Sequence, residues 1–147
     1  MILPDTNLLV YAYNRDDSQH SAAELWLRST LASRVPIALP WVTIGGFVRV
    51  ITNRRALARP VSVEQAISIV DEWLAEPAIH LIRPGEGHWP ILQRMLRAVK
   101  VGGNLVTDAH LAALAIEHDC ELCSADTDFA RFPGLRWRNP LRAARKH

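Results

Sequence analysis

Three aspartates occupy positions where carboxylates can do chemistry: Asp5, Asp108 and Asp126. Asp5 follows the short apolar run Ile2-Leu3 and precedes the helical stretch Leu8 to Tyr13, while Asp126 follows an apolar run ending near Ser124-Ala125. In an open parallel sheet both project from the carboxyl edge of the strands, where such folds place their binding crevices. Asp108 comes just after Gly102-Gly103-Asn104 and is expected in the first turn of its helix. If that helix starts at the same edge, three carboxylates from distant parts of the chain converge. Like charges a few ångströms apart raise one another's pKa, so the group needs protons or a cation. A hard divalent ion such as Mg²⁺ or Mn²⁺ suits oxygen ligands, lowers the pKa of a bound water and neutralises a phosphate, which points to phosphodiester hydrolysis. Each aspartate also has a local explanation: a helix cap, a helix N-terminus or an Asx-turn. Spacing alone leaves both readings open.

The elements that must position these acids are marked by period and punctuation. Candidate strands are Ile2-Leu3, Ile37-Ala38-Leu39, Ile79 to Ile82, Glu121 to Ser124 and a last one near Leu135-Arg136-Trp137. Segments of helical period separate them, the pattern of parallel β-α units. Asp17 or Ser18 is expected to cap a helix carrying Ala22, Leu25, Trp26 and Leu31. A second helix is expected from Trp41 to Thr52. Ser62-Val63-Glu64-Gln65 has capping-box spacing and opens a helix that Pro77 stops. Another runs from Trp89 to Val99, and the next is expected to be capped by Thr107, with Ala109, Ala112, Ala113 and Ile116 on one side. The acids on helix surfaces (Glu24, Glu64, Asp71, Glu72, Glu76, Glu117) need no role beyond solubility and local pairing.

Bulk properties bound the answer without naming it. The 147 residues are 49% apolar and 22% charged, enough for one domain with a sizeable core, and no linker, repeat or low-complexity tract divides them. The formal charge of +2 is too small to name a polyanionic partner. Its distribution says more: after Asp128 come only Arg131, Arg136, Arg138, Arg142, Arg145 and Lys146, and a basic tail from about residue 139 could hold phosphates or simply keep the protein soluble. Cys120 and Cys123 form a single C-x-x-C without two further zinc ligands at suitable spacing, so they read as buried thiols. Low cysteine usage, the lack of a basic stretch before Asp5, and an uncharged run (Val35 to Val48) too short for a bilayer lead us to expect a cytoplasmic protein without a membrane segment.

At these residues the chain resembles a known family. Ile2-Leu3-Pro4-Asp5-Thr6-Asn7 resembles the D-[TS]-N opening of PIN-domain nucleases. Asn104-Leu105-Val106-Thr107-Asp108-Ala109-His110 resembles their later acidic motif, and Ser124-Ala125-Asp126-Thr127-Asp128-Phe129 their terminal T-x-D-x-D-F element. Order and spacing match from Met1 to about Leu141, and the wording is most similar to VapC-type toxins of bacterial toxin–antitoxin systems. The resemblance implies a three-layer α/β/α domain with a central parallel sheet, and Mg²⁺- or Mn²⁺-dependent endoribonuclease activity on structured RNA such as tRNA or rRNA. It implies Asp5 and Asp108 as metal-binding acids, Asp126 as the acid completing the catalytic pocket with Asp128 two residues on, and Asn7 and Thr107 as hydrogen-bonding supports. It implies as partners a small antitoxin covering the active site and a second copy in a homodimer.

One departure stands out. Many PIN nucleases carry a glutamate early in the helix after the second strand, and here Gly46 occupies that position. The missing carboxylate counts against a full two-metal site and leaves room for a weaker one-metal site, so the sequence leaves the number of metals open. The alternative reading is a PIN-like module that binds RNA or an antitoxin but turns over weakly. A phosphatase-like hydrolase ranks last, because such enzymes need an aspartate two residues after the first and Asn7 stands there. His20 resembles a recurring family feature but reads as a helix-start or surface residue. Trp26, Trp41, Trp73 and Trp89 read as core before groove.

Overall fold

The computed structural model describes residues 1–100 and 103–143. Five parallel strands, β1 (Ile2–Pro4), β2 (Ile37–Pro40), β3 (Ile79–Ile82), β4 (Glu121–Cys123) and β5 (Trp137–Arg138), form one sheet in the order β3-β2-β1-β4-β5. The helices are α1 (Thr6–Tyr13), α2 (His20–Ala32), α3 (Trp41–Ile51), α4 (Val63–Ala75), α5 (His88–Val99), α6 (Asn104–Glu117) and α7 (Pro140–Ala143), with a short 3-10 helix over Thr127–Arg131. Every expected strand is present, and the architecture is the expected α/β/α type.

Alternation along the strands explains the layering. Successive side chains of a strand point to opposite faces. Ile2, Ile37, Leu39 and Cys123 enter one core with Leu8, Leu27, Phe47 and Trp73 from α1 to α4. Leu3, Ala38 and Leu122 enter the other with Met95 of α5, Ala109 and Ala112 of α6, and Phe129. Leu3 and Leu122 are wholly buried, each worth about 1.5–3 kcal/mol of apolar transfer.

Two packing features set the helices that flank the acids. Tyr13, Phe47 and Trp73 meet at centroid distances of 5.5, 5.9 and 4.5 Å, tying α1 to α3 and α4, and the Trp73 indole N–H donates to the Tyr13 hydroxyl at 2.9 Å. On the opposite face α6 presents Ala109, Ala112, Ala113 and Ala115, all buried. Side chains this small let its backbone lie close to the sheet, which brings Asp108 down toward the strand ends.

The order of strands adds what periodicity does not show. From β1 the chain moves outward to β2 and β3, then returns on the far side of β1 with β4 and continues to β5. The reversal falls between β1 and β4. Crevices at the carboxyl ends of strands open at such switch points, and Asp5 and Asp126 follow these two strands.

Several local expectations need correction. The α2 N-cap is Gln19, not Asp17 or Ser18; Asp17 instead accepts the Gln19 backbone N–H at 2.7 Å and closes the preceding turn. Leu25 is exposed, and Ala23 and Leu27 are the buried residues of that helix. Helix α6 starts at Asn104 behind Gly103, whose φ of 67° turns the chain into it, so Thr107 lies inside the helix and Asp108 falls just past its first turn. The Ser62–Gln65 capping box is present in both directions. Cys120 and Cys123 are buried free thiols, as expected. Of the tryptophans only Trp73 is buried, while Trp41 and Trp89 are exposed.

Candidate active site

Asp5 extends β1 by one residue: its backbone N–H donates to the Cys123 carbonyl at 2.9 Å, continuing the β1–β4 ladder. Its side chain is buried, and Oδ2 accepts a 2.8 Å hydrogen bond from the Ser124 hydroxyl. The same hydroxyl accepts the Asp126 backbone N–H at 3.0 Å. Ser124 is wholly buried and so pins the first acid to the loop carrying the third. Asp126 in turn caps the 3-10 helix, with Oδ1 accepting the Asp128 N–H at 2.9 Å.

Three of the acids meet directly. One carboxylate oxygen from each of Asp108, Asp126 and Asp128 lies within 4.8 Å of the other two. Asp5 is outside that trio, yet its charge acts on it. The Asp108 carboxyl is pushed up to about 6, first by burial and next by the charge of Asp5, ahead of those of Asp126 and Asp128. Asp5 is itself raised by burial, against which Ser124 and the backbone N–H groups of Thr6 and Asn7 pull it down. Tyr11, half-buried on α1, is raised by burial and feels Asp17, Asp5 and Asp126. No cation of the protein pairs with any of these four aspartates among the described residues.

The remaining candidates fall around this group. Asn7 and Thr107 are exposed, and among the described residues neither side chain hydrogen-bonds an acid of the group. The hydroxyl that does so is Ser124, which the sequence reading passed over; its only local signal is the Ser-x-Asp spacing. Gly46 packs on the first residue of α1: a Cβ there would sit 3.2 Å from Thr6 Cγ2 and 3.3 Å from its Oγ1. In the basic C-terminal segment, Arg136 pairs with Asp119 at 2.9 Å and Arg138 with Glu121 at 2.9 Å. Arg131 is exposed at the end of the 3-10 helix that carries Asp128. Arg145 and Lys146 lie outside the described residues. A cavity of about 610 Å³ between the end of α1, α2 and the start of α4 is lined by Tyr13, His20, Leu27 and Arg59 among others and includes none of the four site aspartates. His20 at its wall is half-buried, with Nδ1 2.9 Å from the Tyr11 carbonyl.

The model of the PIN domain family matches residues 2–135. The chain belongs to the PIN-domain family. Within the family it is 42% identical over 142 residues to ribonuclease VapC33 of Mycobacterium tuberculosis, an alignment covering 97% of this chain and 99% of that one. Among solved structures, VapBC2 of Rickettsia felis bound to a DNA fragment from its promoter superposes with a TM-score of 0.69 at 21% identity, covering 95% of this chain and 98% of that one. VapC20 of M. tuberculosis, a sarcin–ricin loop cleaving toxin, gives 0.64 at 17% identity, with coverage of 92% and 99%. These two likenesses are of fold.

The donor set of this PIN domain fits a hard divalent cation. It consists of oxygens only, from carboxylates that crowd one another without a protein counter-charge. Asp108, Asp126 and Asp128 have the separation to share an ion, and Asp5 stands beside them.

Proposed function

We propose that this PIN domain is the toxin of a toxin–antitoxin pair, a Mg²⁺- or Mn²⁺-dependent endoribonuclease that hydrolyses RNA phosphodiester bonds. The observation that carries the reading is the meeting of Asp108, Asp126 and Asp128 within 4.8 Å of one another, beside a buried Asp5, at the switch point of the sheet. When bound, the cation supplies Lewis acidity to water and positive charge to a phosphate.

The chain's own residues supply the rest. Asp5, Asp108 and Asp126 are the catalytic acids, with Asp128 at the rim of the same cluster. Asp108 must be ionised to serve, and a pKa of about 6 leaves it ionised at neutral pH. Ser124 fixes the orientation of Asp5 and the entry of the Asp126 loop. Arg131, exposed on the 3-10 helix that carries Asp128, is the cation we assign to an incoming phosphate.

Partners follow by likeness. The Rickettsia neighbour was solved as a VapBC assembly, which supports a small protein antitoxin as a partner here. The VapC20 neighbour is named for cleaving the sarcin–ricin loop, which supports a structured RNA as substrate here; the rRNA or tRNA class belongs to the same reading. Homodimer formation and a cytoplasmic location belong to the same reading, as does action of residues 1–147 as a single domain. No helix among the described residues is long and apolar enough to cross a membrane.

Purified Asp108→Asn and Asp5→Asn variants test the proposal. Both are expected to keep the wild-type circular dichroism spectrum and lose Mg²⁺-dependent RNA cleavage. Undiminished cleavage by either folded variant would falsify it. Gly46 favours a second reading, a PIN module that binds RNA or antitoxin with weak turnover; retained RNA binding without Mn²⁺ binding near millimolar concentration would select it.

A further inference from the structure

The register of β1 and β2 places a second feature at the acid edge. Ile2 is paired with Ile37 in parallel strands, so β1 and β2 end at the same edge of the sheet, the one just before Asp5 and the other at Pro40. Helix α3 begins at the next residue, Trp41. Side chains of a helix lean toward its N-terminus, so those of the first turn of α3 lean back toward the edge where the acids sit. Gly46, on the same helix, presses on Thr6, the residue after Asp5.

What α3 displays there is unusual for a protein surface beside a cluster of charges. Trp41 is 53% exposed and Val42 41%. Gly45 has nothing within 4 Å of where its Cβ would be, and the first turn carries no acid. Trp41, Gly45 and Arg49 follow one another at i, i+4 and i+8, hence along one stripe of the helix. Arg49 is exposed and forms no ion pair among the described residues. Over eight residues the stripe runs about 12 Å.

Resting on the nuclease reading above, we propose that the α3 stripe Trp41–Gly45–Arg49 docks the RNA strand flanking the scissile phosphate, with a nucleobase stacked on Trp41 and a phosphate held by Arg49. Each part has a matching chemistry. Unpaired bases present π-faces that stack on exposed aromatic side chains, and a guanidinium holds phosphate. The open backbone at Gly45 lets the sugar approach between them. The lack of a carboxylate at Gly46 spares a polyanion one more repulsive charge. The uncharged part is a single turn of helix, the scale of one base. A stable protein partner needs about 800 Å² from each side.

Equilibrium binding of a fluorescein-labelled RNA hairpin with a single-stranded loop tests this, with Ca²⁺ replacing Mg²⁺ to prevent cleavage and KCl varied. Trp41→Ala is expected to weaken binding about tenfold, with the slope of log Kd against log salt unchanged, because stacking releases no counterions. Trp41→Phe should recover most of the affinity. Arg49→Ala should weaken binding and reduce the salt slope by about 0.7, one phosphate contact on a single strand. Trp41→Ala binding within about twofold of wild type across the salt range would overturn the proposal, since one base stack is worth more. So would a Trp41→Ala defect explained by loss of a dimer in light scattering. If wild type cleaves RNA and the variants bind normally, only the docking stripe fails; if wild type neither binds nor cleaves RNA, the nuclease reading fails with it.

Discussion

Two clusters of titratable side chains lie on α6 and behave in opposite ways. At its start, Asp108 meets Asp126, Asp128 and the charge of Asp5, all of one sign. Toward its end, Glu117 accepts the Gly85 backbone N–H at 3.0 Å and lies 3.8 Å from His88 Nδ1 and 4.0 Å from His118 Nε2. His88 Nε2 faces His110 Nδ1 at 3.0 Å, and His118 Nε2 lies 2.7 Å from the Arg83 carbonyl. The second cluster mixes donors with acceptors and anchors the loop after β3, so its charges are largely offset even though His88 Nδ1 is buried without a hydrogen bond. The first is frustrated, and only something from outside the chain relieves it. Titratable residues in contact are common; contact without compensation is what marks a site.

The sharpest break of this contrast is loss of a charge from the frustrated cluster. Asp108→Asn is expected to lower kcat/KM for RNA cleavage about a thousandfold, the upper range for removing one preorganised electrostatic group, without lowering the melting temperature at neutral pH. In the compensated cluster the effects exchange places. Glu117→Ala removes the hydrogen bond accepted from the exposed Gly85 N–H and the 3.8 Å approach to His88, and should cost about 1 kcal/mol in urea unfolding, with cleavage per folded molecule unchanged.

Ser124→Ala lies between the two. It removes a hydrogen bond that lowers the Asp5 pKa, so the acid limb of the pH–rate profile should move to higher pH while cleavage falls about tenfold, the worth of roughly one hydrogen bond to a charged group. Ser124→Thr, which keeps the hydroxyl, should restore the profile; a purely packing role would lower stability and leave the limb in place.

The smallest effect is on pH-dependent stability without metal. The Asp108 carboxyl is pushed up to about 6 in the folded state against 3.8 for an ordinary aspartate, so the folded state holds this proton more tightly than the unfolded state does. Stability from this group is complete below the lower value and lost as pH rises through the higher. Metal-free wild type should therefore melt a few degrees lower at pH 7 than at pH 4 on account of this group, a modest shift because the side chain is partly solvated. Asp108→Asn should shrink the difference, the raised Asp5 contributing a remainder of the same sign, and a divalent cation should reverse it. Equal pH dependence in Asp108→Asn and wild type would place the penalty elsewhere.

The residues legible in the sequence are those whose roles are local. Ser62 and Gln65 satisfy one another within a single turn, and the capping box is present as read. The alternation of Ile2 with Leu3 and of Ile37 with Ala38 settles which side chain enters which core, because the strand period is 2. The carboxyl-edge positions of Asp5 and Asp126 follow from the same signals. Ser124 was not legible, because its partner Asp5 lies 119 residues away and strand order alone brings them together. The start of α6 was misplaced because the turn at Gly103 is a backbone event without periodicity. Trp41 was read as core from residue type, whereas its place at the mouth of a strand exposes it.

The contact between Gly46 and Thr6 makes two positions into one genetic locus. A Cβ at 46 would crowd the Thr6 side chain, at 3.2 Å, so a side chain gained on α3 is felt at once at the start of α1, where Thr6 must give by a few tenths of an ångström. The cost of Gly46→Glu should therefore fall when Thr6→Ser is made beside it, the two changes being non-additive. The history of this fold would then depend on the order of substitutions as much as on their identity.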